Sequence, residues 1–125
     1  MVSTQVLKQM KNFKDLKVWQ KAHELALLIY KITSKFPMEE KFGLCVQMRR
    51  AAVSVASNIA EGFTRHFVKV SANFYNIADG SLEELRYQLI LSRDLGYISL
   101  NDFNCAESLS EEVSKMLHAW IGKQG

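Results

Sequence analysis

The chain has 125 residues, of which 48% are hydrophobic and 23% charged, and a formal net charge of +3. That length and balance fit one globular domain with a single buried core and exclude a disordered polyelectrolyte. One Pro and six Gly favour long helices over a turn-rich all-β chain.

The opening stretch MVSTQVLKQMKNFK lacks an apolar segment followed by a small-residue cleavage site, so no signal peptide is expected. Residues 1–13 read as a flexible basic leader to a single domain spanning 1–125. A first helix is expected to open at Asp15 as N-cap and to run to about Lys35, before Pro37. Ala22, Leu25, Ile29, Ile32 and Phe36 recur at helical spacing, and Trp19, Ala26 and Tyr30 widen that face toward a second neighbour. Lys14, Lys17, Lys21, Lys31 and Lys35 line the polar side. The longest apolar run, Leu25 to Tyr30, has six residues, against about 20 for a bilayer span. A soluble, cytoplasmic protein with no membrane contact is therefore expected.

A second helix is expected from about Gly43 to Gly62, with Met48, Ala52, Val55 and Ile59 as its core stripe and Gly62 as its terminator. The third covers roughly Phe67 to Leu95 and stops at Gly96, with Phe74, Ala78, Leu82, Leu85 and Leu89 inward. The fourth starts at Ser99, where Ser99-x-x-Asp102 resembles a capping box. It turns Leu109, Val113, Met116 and Trp120 inward. Short connections make successive helices antiparallel, so the expected fold is all-α, an up-down-up-down four-helix bundle. Cys45 and Cys105 have no metal-ligand spacing and are expected as small buried apolar residues rather than a disulfide.

Charge is unevenly spread. Residues 1–35 hold seven Lys and two acids, a surplus of +5, whereas the rest of the chain sums to −2. Such polarity suits an anionic partner. No motif for chemistry accompanies it: there is no phosphate-binding Gly-rich loop, zinc helix motif, di-iron Glu-x-x-His pair or nucleophile elbow. His23, His66 and His118 fall on separate segments without a Cys or acid cluster, so solvated or capping roles are expected, with no metal and no cofactor.

The stretch QMRRAAVSVASNIAEGF, residues 47–63, carries polar and small residues where a plain core helix would carry leucines. Arg50, Ser54, Ser57, Asn58, Glu61 and Arg65 share one helix face, a stripe rather than a convergent pocket. Catalysis is not expected from it. One reading is packing: Ala51, Ala52, Ser54, Ala56, Ser57 and Ala60 would let another helix approach, matched by Ala78, Gly80 and Ser81 on the third. Gly80 costs about 1 kcal/mol relative to Ala inside a helix, which close approach would offset. Asn58 and Glu61, buried in such a contact, would need partners such as Arg50 or Arg65. The other reading is nucleic acid. Lys8, Lys11, Lys14, Lys17 and Lys21 step along the leader and first helix, and Arg49, Arg50 and Arg65 add charge on the second. A solvated lysine face that serves solubility accounts for the same pattern.

FGLCVQMRRAAVSVASNIAEGF followed by FYNIADGSLEELRYQLILSRDLGYI, together with the opening FKDLKVWQKAHELALLIYKIT, resembles the four-helix-bundle family encoded in 23S rRNA intervening sequences. The resemblance spans about Phe13 to Trp120. Arg49, Arg50, Ser54, Ser57, Asn58, Glu61 and Gly62 fill its first motif, and Ala78, Gly80, Ser81, Glu84 and Leu85 its second. The resemblance implies a bundle assembling as a ring, typically a homopentamer. It is similar to the accessory protein of diversity-generating retroelements, a basic pentameric barrel that binds a reverse transcriptase and nucleic acid. Two departures stand out. Ala56 occupies a position where the family usually has Pro, implying a straighter helix, and Val70 to Asn73 are uncharged where relatives carry acids and bases. The expected function is a non-enzymatic oligomeric bundle that binds RNA or DNA through Lys11, Lys14, Lys17, Lys21, Arg49, Arg50 and Arg65. It would act as an accessory or scaffold, with Ser54, Ser57, Asn58, Ala60, Glu61, Gly62, Ala78, Gly80, Ser81 and Glu84 setting helix and subunit packing. The alternative is a structural or protein-partner module with no nucleic-acid role.

Overall fold

The computed structural model describes residues 12–124, except for the side chain of Gln124. After a 3-10 turn at Phe13–Asp15 come α1 (Lys17–Thr33), α2 (Leu44–Thr64), α3 (Val68–Asp94) and α4 (Leu100–Gln124), with a second 3-10 turn at Met38–Glu40. The helix starts follow from local hydrogen bonding. Asn12 Oδ1 accepts the Lys14 N–H at 2.9 Å, and the Asn12 N–H donates to Asp15 Oδ2 at 3.3 Å. Asn12 is thus the cap of the 3-10 turn and Asp15 the reciprocal acid of its capping box, whereas α1 itself starts after Leu16 with no side-chain cap, so Asp15 is not its N-cap. Glu40 Oε1 accepts the Leu44 N–H at 3.2 Å and supplies the start of α2 with an acceptor that Gly43 lacks. Ser99 Oγ accepts the Asp102 N–H at 3.1 Å, so Ser99 caps α4 as its sequence suggests.

The ends differ in kind. Gly96 adopts φ 78°, Tyr97 N–H donates to Ser92 O at 2.9 Å, and Gly96 N–H donates to Arg93 O at 3.0 Å. This is a Schellman closure, for which only glycine is unstrained. Gly62 does not end α2. The helix runs on to Thr64, and Gly62 is buried inside it. A Cβ at residue 62 would lie 2.4 Å from Tyr75 Cε1, so the close approach of α3, not a turn, requires this glycine. At Gly80 a Cβ would meet nothing within 4 Å. Within one chain no helix packs on it, because that side of α3 faces outward.

Successive helices run antiparallel, as cross-helix pairs show at both ends. Trp19 and Ala26 face Ala60 and Val53, and Arg49 reaches back to Tyr30. Met48 approaches Ser92, whereas Gly62 approaches Tyr75. Arg86 pairs with Glu107 and Asp79 with His118, and Lys35 pairs with Asp102 while Lys21 reaches Glu112. The result is an all-α up-down-up-down four-helix bundle with cyclic order α1–α2–α3–α4, whose most extensive contact is α2 on α3. Leu25, Ile29, Met48, Val55, Ile59, Leu82, Leu85, Leu89, Val113 and Leu117 fill its centre. Phe74, Leu109 and Met116 are only half-buried, and Tyr75, Ala106 and Ser110 take deeper positions than the expected stripes gave them. Cys45 is buried, and burial pushes its thiol pKa up. Cys105 is exposed, contrary to expectation, because residue 106 rather than 105 points into the bundle. Among the described residues no helix is long and apolar enough to cross a membrane.

The two glycines should respond oppositely to alanine. Gly62→Ala should cost roughly 1–3 kcal/mol by overpacking against Tyr75, and less in a Tyr75→Leu background. Gly80→Ala should stabilise by up to about 1 kcal/mol, since the site is open and helical. Urea unfolding midpoints at unchanged m-value check both.

Candidate nucleic-acid interface

The polar residues of α2 separate onto different neighbours. Arg49 turns toward α1: its Nε donates to Thr33 Oγ1 at 2.9 Å and an Nη donates to Tyr30 O at 3.4 Å, with the guanidinium 4.6 Å from the Tyr30 ring centroid. It serves the last turn of α1, where carbonyls lack helical partners. Arg50 turns the other way. It is exposed, makes no hydrogen bond or ion pair within the described residues, and lines a cleft of about 250 Å³ with Gln47, Ser54, Ser81 and Glu84.

Ser54 is the hub of the α2–α3 edge. Its hydroxyl meets that of Ser81 at 2.8 Å, and Asn58 Nδ2 donates to both Ser54 O and Ser54 Oγ, at 2.8 and 3.0 Å. Asn58 is half-buried and satisfied from its own helix. Ser57 is exposed and bonds back to Val53 O at 2.6 Å. Ala60 borders a shallow cleft with Phe13, Trp19 and Ala26, while Ala78 is fully buried in the core. Glu61 is exposed and paired with Arg65, not buried as the packing reading expected. Glu84 is also exposed and accepts from Gln88 Nε2 at 3.5 Å.

The lysines divide as well. Lys21 pairs with Glu24 at 3.3 Å and Glu112 at 3.6 Å, and these carboxylates raise its pKa. Lys14 and Lys17 are exposed and without ion pairs within the described residues. Lys8 and Lys11 lie outside those residues. The expected cations therefore do not share one surface. Lys21 is on the α1–α4 edge and Arg50 on the opposite α2–α3 edge, whereas Arg49 belongs to the far end of the bundle.

Antiparallel packing gathers a different set. The start of α1, the end of α2, the start of α3 and the end of α4 lie at one pole. There Lys14, Lys17, Arg65, His66, Lys69 and Lys123 are all exposed. The acids at this pole are committed: Asp15 to its capping box and Glu61 to Arg65. Arg65 also stacks 4.9 Å from the Phe74 ring. The first turn of α3 has no side-chain cap, so its dipole adds positive potential. Phe67, 73% exposed, projects from the same turn. At the opposite pole Lys35 pairs with Asp102 and Arg93 with Asp94, while Glu40 accepts from Leu44 N–H and Tyr97 Oη. Stripe reading missed His66, Lys69 and Lys123, because the cluster joins chain segments that only the bundle topology brings together. The run Arg65-His66-Phe67-Val68-Lys69 was its one local signal.

The family model of the 23S rRNA-intervening sequence protein matches residues 14–119. The chain belongs to that family. The matched span contains Arg65, His66 and Lys69 of the basic pole and the Gly62–Tyr75 contact. It is also similar to a solved protein of unknown function from the S23 ribosomal protein family of Bacteroides thetaiotaomicron VPI-5482. That protein is 27% identical at a TM-score of 0.75, over 83% of this chain and 97% of that one. No curated protein matches. Within the matched span, Arg49 and Arg50 have separate tasks. Arg49→Ala should lower stability by about 1–2 kcal/mol through loss of charged hydrogen bonds, and Arg50→Ala should stay within about 0.5 kcal/mol of the parent. Thermal unfolding of the two variants separates them.

Proposed function

We propose that this protein is a non-enzymatic, self-assembling bundle whose basic pole binds the phosphate backbone of nucleic acid, RNA foremost. It would act as an accessory or scaffold to a nucleic-acid enzyme such as a reverse transcriptase. The observation that carries the reading is the convergence of exposed Lys14, Lys17, Arg65, His66 and Lys69 at one end of the bundle. Backbone binding needs such a field and no base-reading motif. Membership in a family tied by name to 23S rRNA supports the same reading. Its polar α2 residues bond within the stripe or to adjacent helices rather than converge on a reacting centre, which supports a binding role over chemistry.

Salt dependence is the direct measure. Affinity for a short RNA should fall linearly on logarithmic axes, by about 0.7 per phosphate contact on a single strand. Lys14→Glu/Lys17→Glu/Lys69→Glu should abolish binding, whereas Lys31→Glu, exposed nearer the opposite pole, should change it little. No binding by the parent protein at low salt would sink the proposal. It would favour a protein-partner module instead.

Self-assembly is supported by apolar side chains left exposed on the helix flanks. Leu27, Tyr30 and Val53 stand on α1 and α2, and Ile77, Tyr87 and Ile90 on α3, each 39–61% exposed. Two unlike faces suit a head-to-tail contact, which closes into a ring, and the family resemblance implies five subunits. Ile77→Glu/Tyr87→Glu should reduce the mass found by light scattering to that of one chain. A monomeric parent protein would count against assembly.

A further inference from the structure

Phosphate binding alone gives no role to the aromatic groups at the basic pole. Phe67, the link between α2 and α3, is 73% exposed, although a ring of that size stabilises a fold mainly when buried. Beside it, Gly62, Phe63, Arg65, His66, Val68, Ser71, Tyr75 and Trp120 line a cleft of about 180 Å³. Trp120 is only 7% exposed, and its buried Nε1–H leans toward the Tyr75 hydroxyl without closing a hydrogen bond of ordinary geometry. Tyr75 stands edge-on to Trp120 with ring centroids 6.5 Å apart. Burial pushes its phenol pKa up, with the indole as a smaller opposing influence, so it stays protonated at neutral pH. The pole therefore combines exposed cations, a free aromatic face and a recess walled by aromatic rings.

A duplex has no use for the last two features. Its base faces are stacked and its base edges paired, so it offers a protein pole phosphates and grooves. Single strands offer phosphates together with unstacked bases, and aromatic rings within a positive groove are how such strands are held. We infer that the basic pole binds single-stranded rather than duplex RNA, with an unpaired base stacking on Phe67 and the neighbouring base entering the cleft lined by Tyr75 and Trp120. This rests on the phosphate-binding reading above and narrows it to the class of nucleic acid. The strand meets Lys14, Lys17 and Lys69 through its phosphates and Phe67 through a base.

Fluorescence anisotropy at low salt, with a labelled 12-nucleotide RNA as a single strand and as its duplex, tests the inference. The single strand should bind at least about tenfold more tightly. Phe67→Ala, at an exposed turn position, should weaken it roughly 5- to 150-fold, the range for loss of one stacked base, and leave duplex binding unchanged. The lysine-to-glutamate triple variant should weaken both. In a Trp19→Phe background, the single strand should quench Trp120 emission and the duplex should not. Equal binding of both forms with no effect of Phe67→Ala would overturn the inference and leave phosphate binding standing. Loss of self-assembly in Phe67→Ala with unchanged RNA affinity would also overturn it, by assigning the ring to a protein contact. Absence of binding to either RNA would overturn both readings.

Discussion

The ring of Tyr75 occupies the space that a side chain at residue 62 would need, with a Cβ there only 2.4 Å from the ring. Glycine in a helix interior costs about 1 kcal/mol relative to alanine, and here it lets an aromatic ring reach 1% exposure beneath the neighbouring helix. That contact sets how α2 and α3 meet at one end of the bundle. It also fixes the short turn between them, and with it Arg65, His66 and Phe67. Tyr75 in turn supports Trp120 on α4, and Phe63 approaches the same indole at 6.4 Å between ring centroids. Three helices are thereby tied together at the pole through one missing side chain.

The bundle is asymmetric along its axis. At the far pole, polar groups answer one another: Glu40 joins the α1–α2 and α3–α4 connections by accepting from both the Leu44 N–H and the Tyr97 hydroxyl. Ion pairs at the surface there contribute little stability singly, but they set acids beside the bases of that pole. At the near pole Lys14, Lys17, Lys69 and Lys123 stay exposed without an ion pair among the described residues.

Arg49 and Arg50 show how far a linear motif can mislead. Adjacent in sequence, they stand about 100° apart around a helix, so one closes the end of α1 and the other meets solvent beside Ser81. The small residues divide in the same way. Ala52 and Ala78 fill the core, Ser54 and Ser81 exchange a hydrogen bond, and Gly80 is open.

Helix number, order and inward stripes were legible from residue spacing, because the 3.6-residue period of a helix is written directly into which positions are apolar. So were the Ser99 cap and the Gly96 stop, since both depend on residues within a few positions of one another. The family motif was legible too, as a pattern. What each residue in it does was not, because Gly62 takes its role from Tyr75, thirteen positions away on another helix. The charge surplus of the first 35 residues was visible, but not its fate: Lys21 is paired with Glu24 of its own helix and Glu112 of α4, while Lys14 and Lys17 join cations from α2, α3 and α4. Only antiparallel packing, which brings the start of α1, the end of α4 and the α2–α3 turn to the same pole, decides which charges stand together.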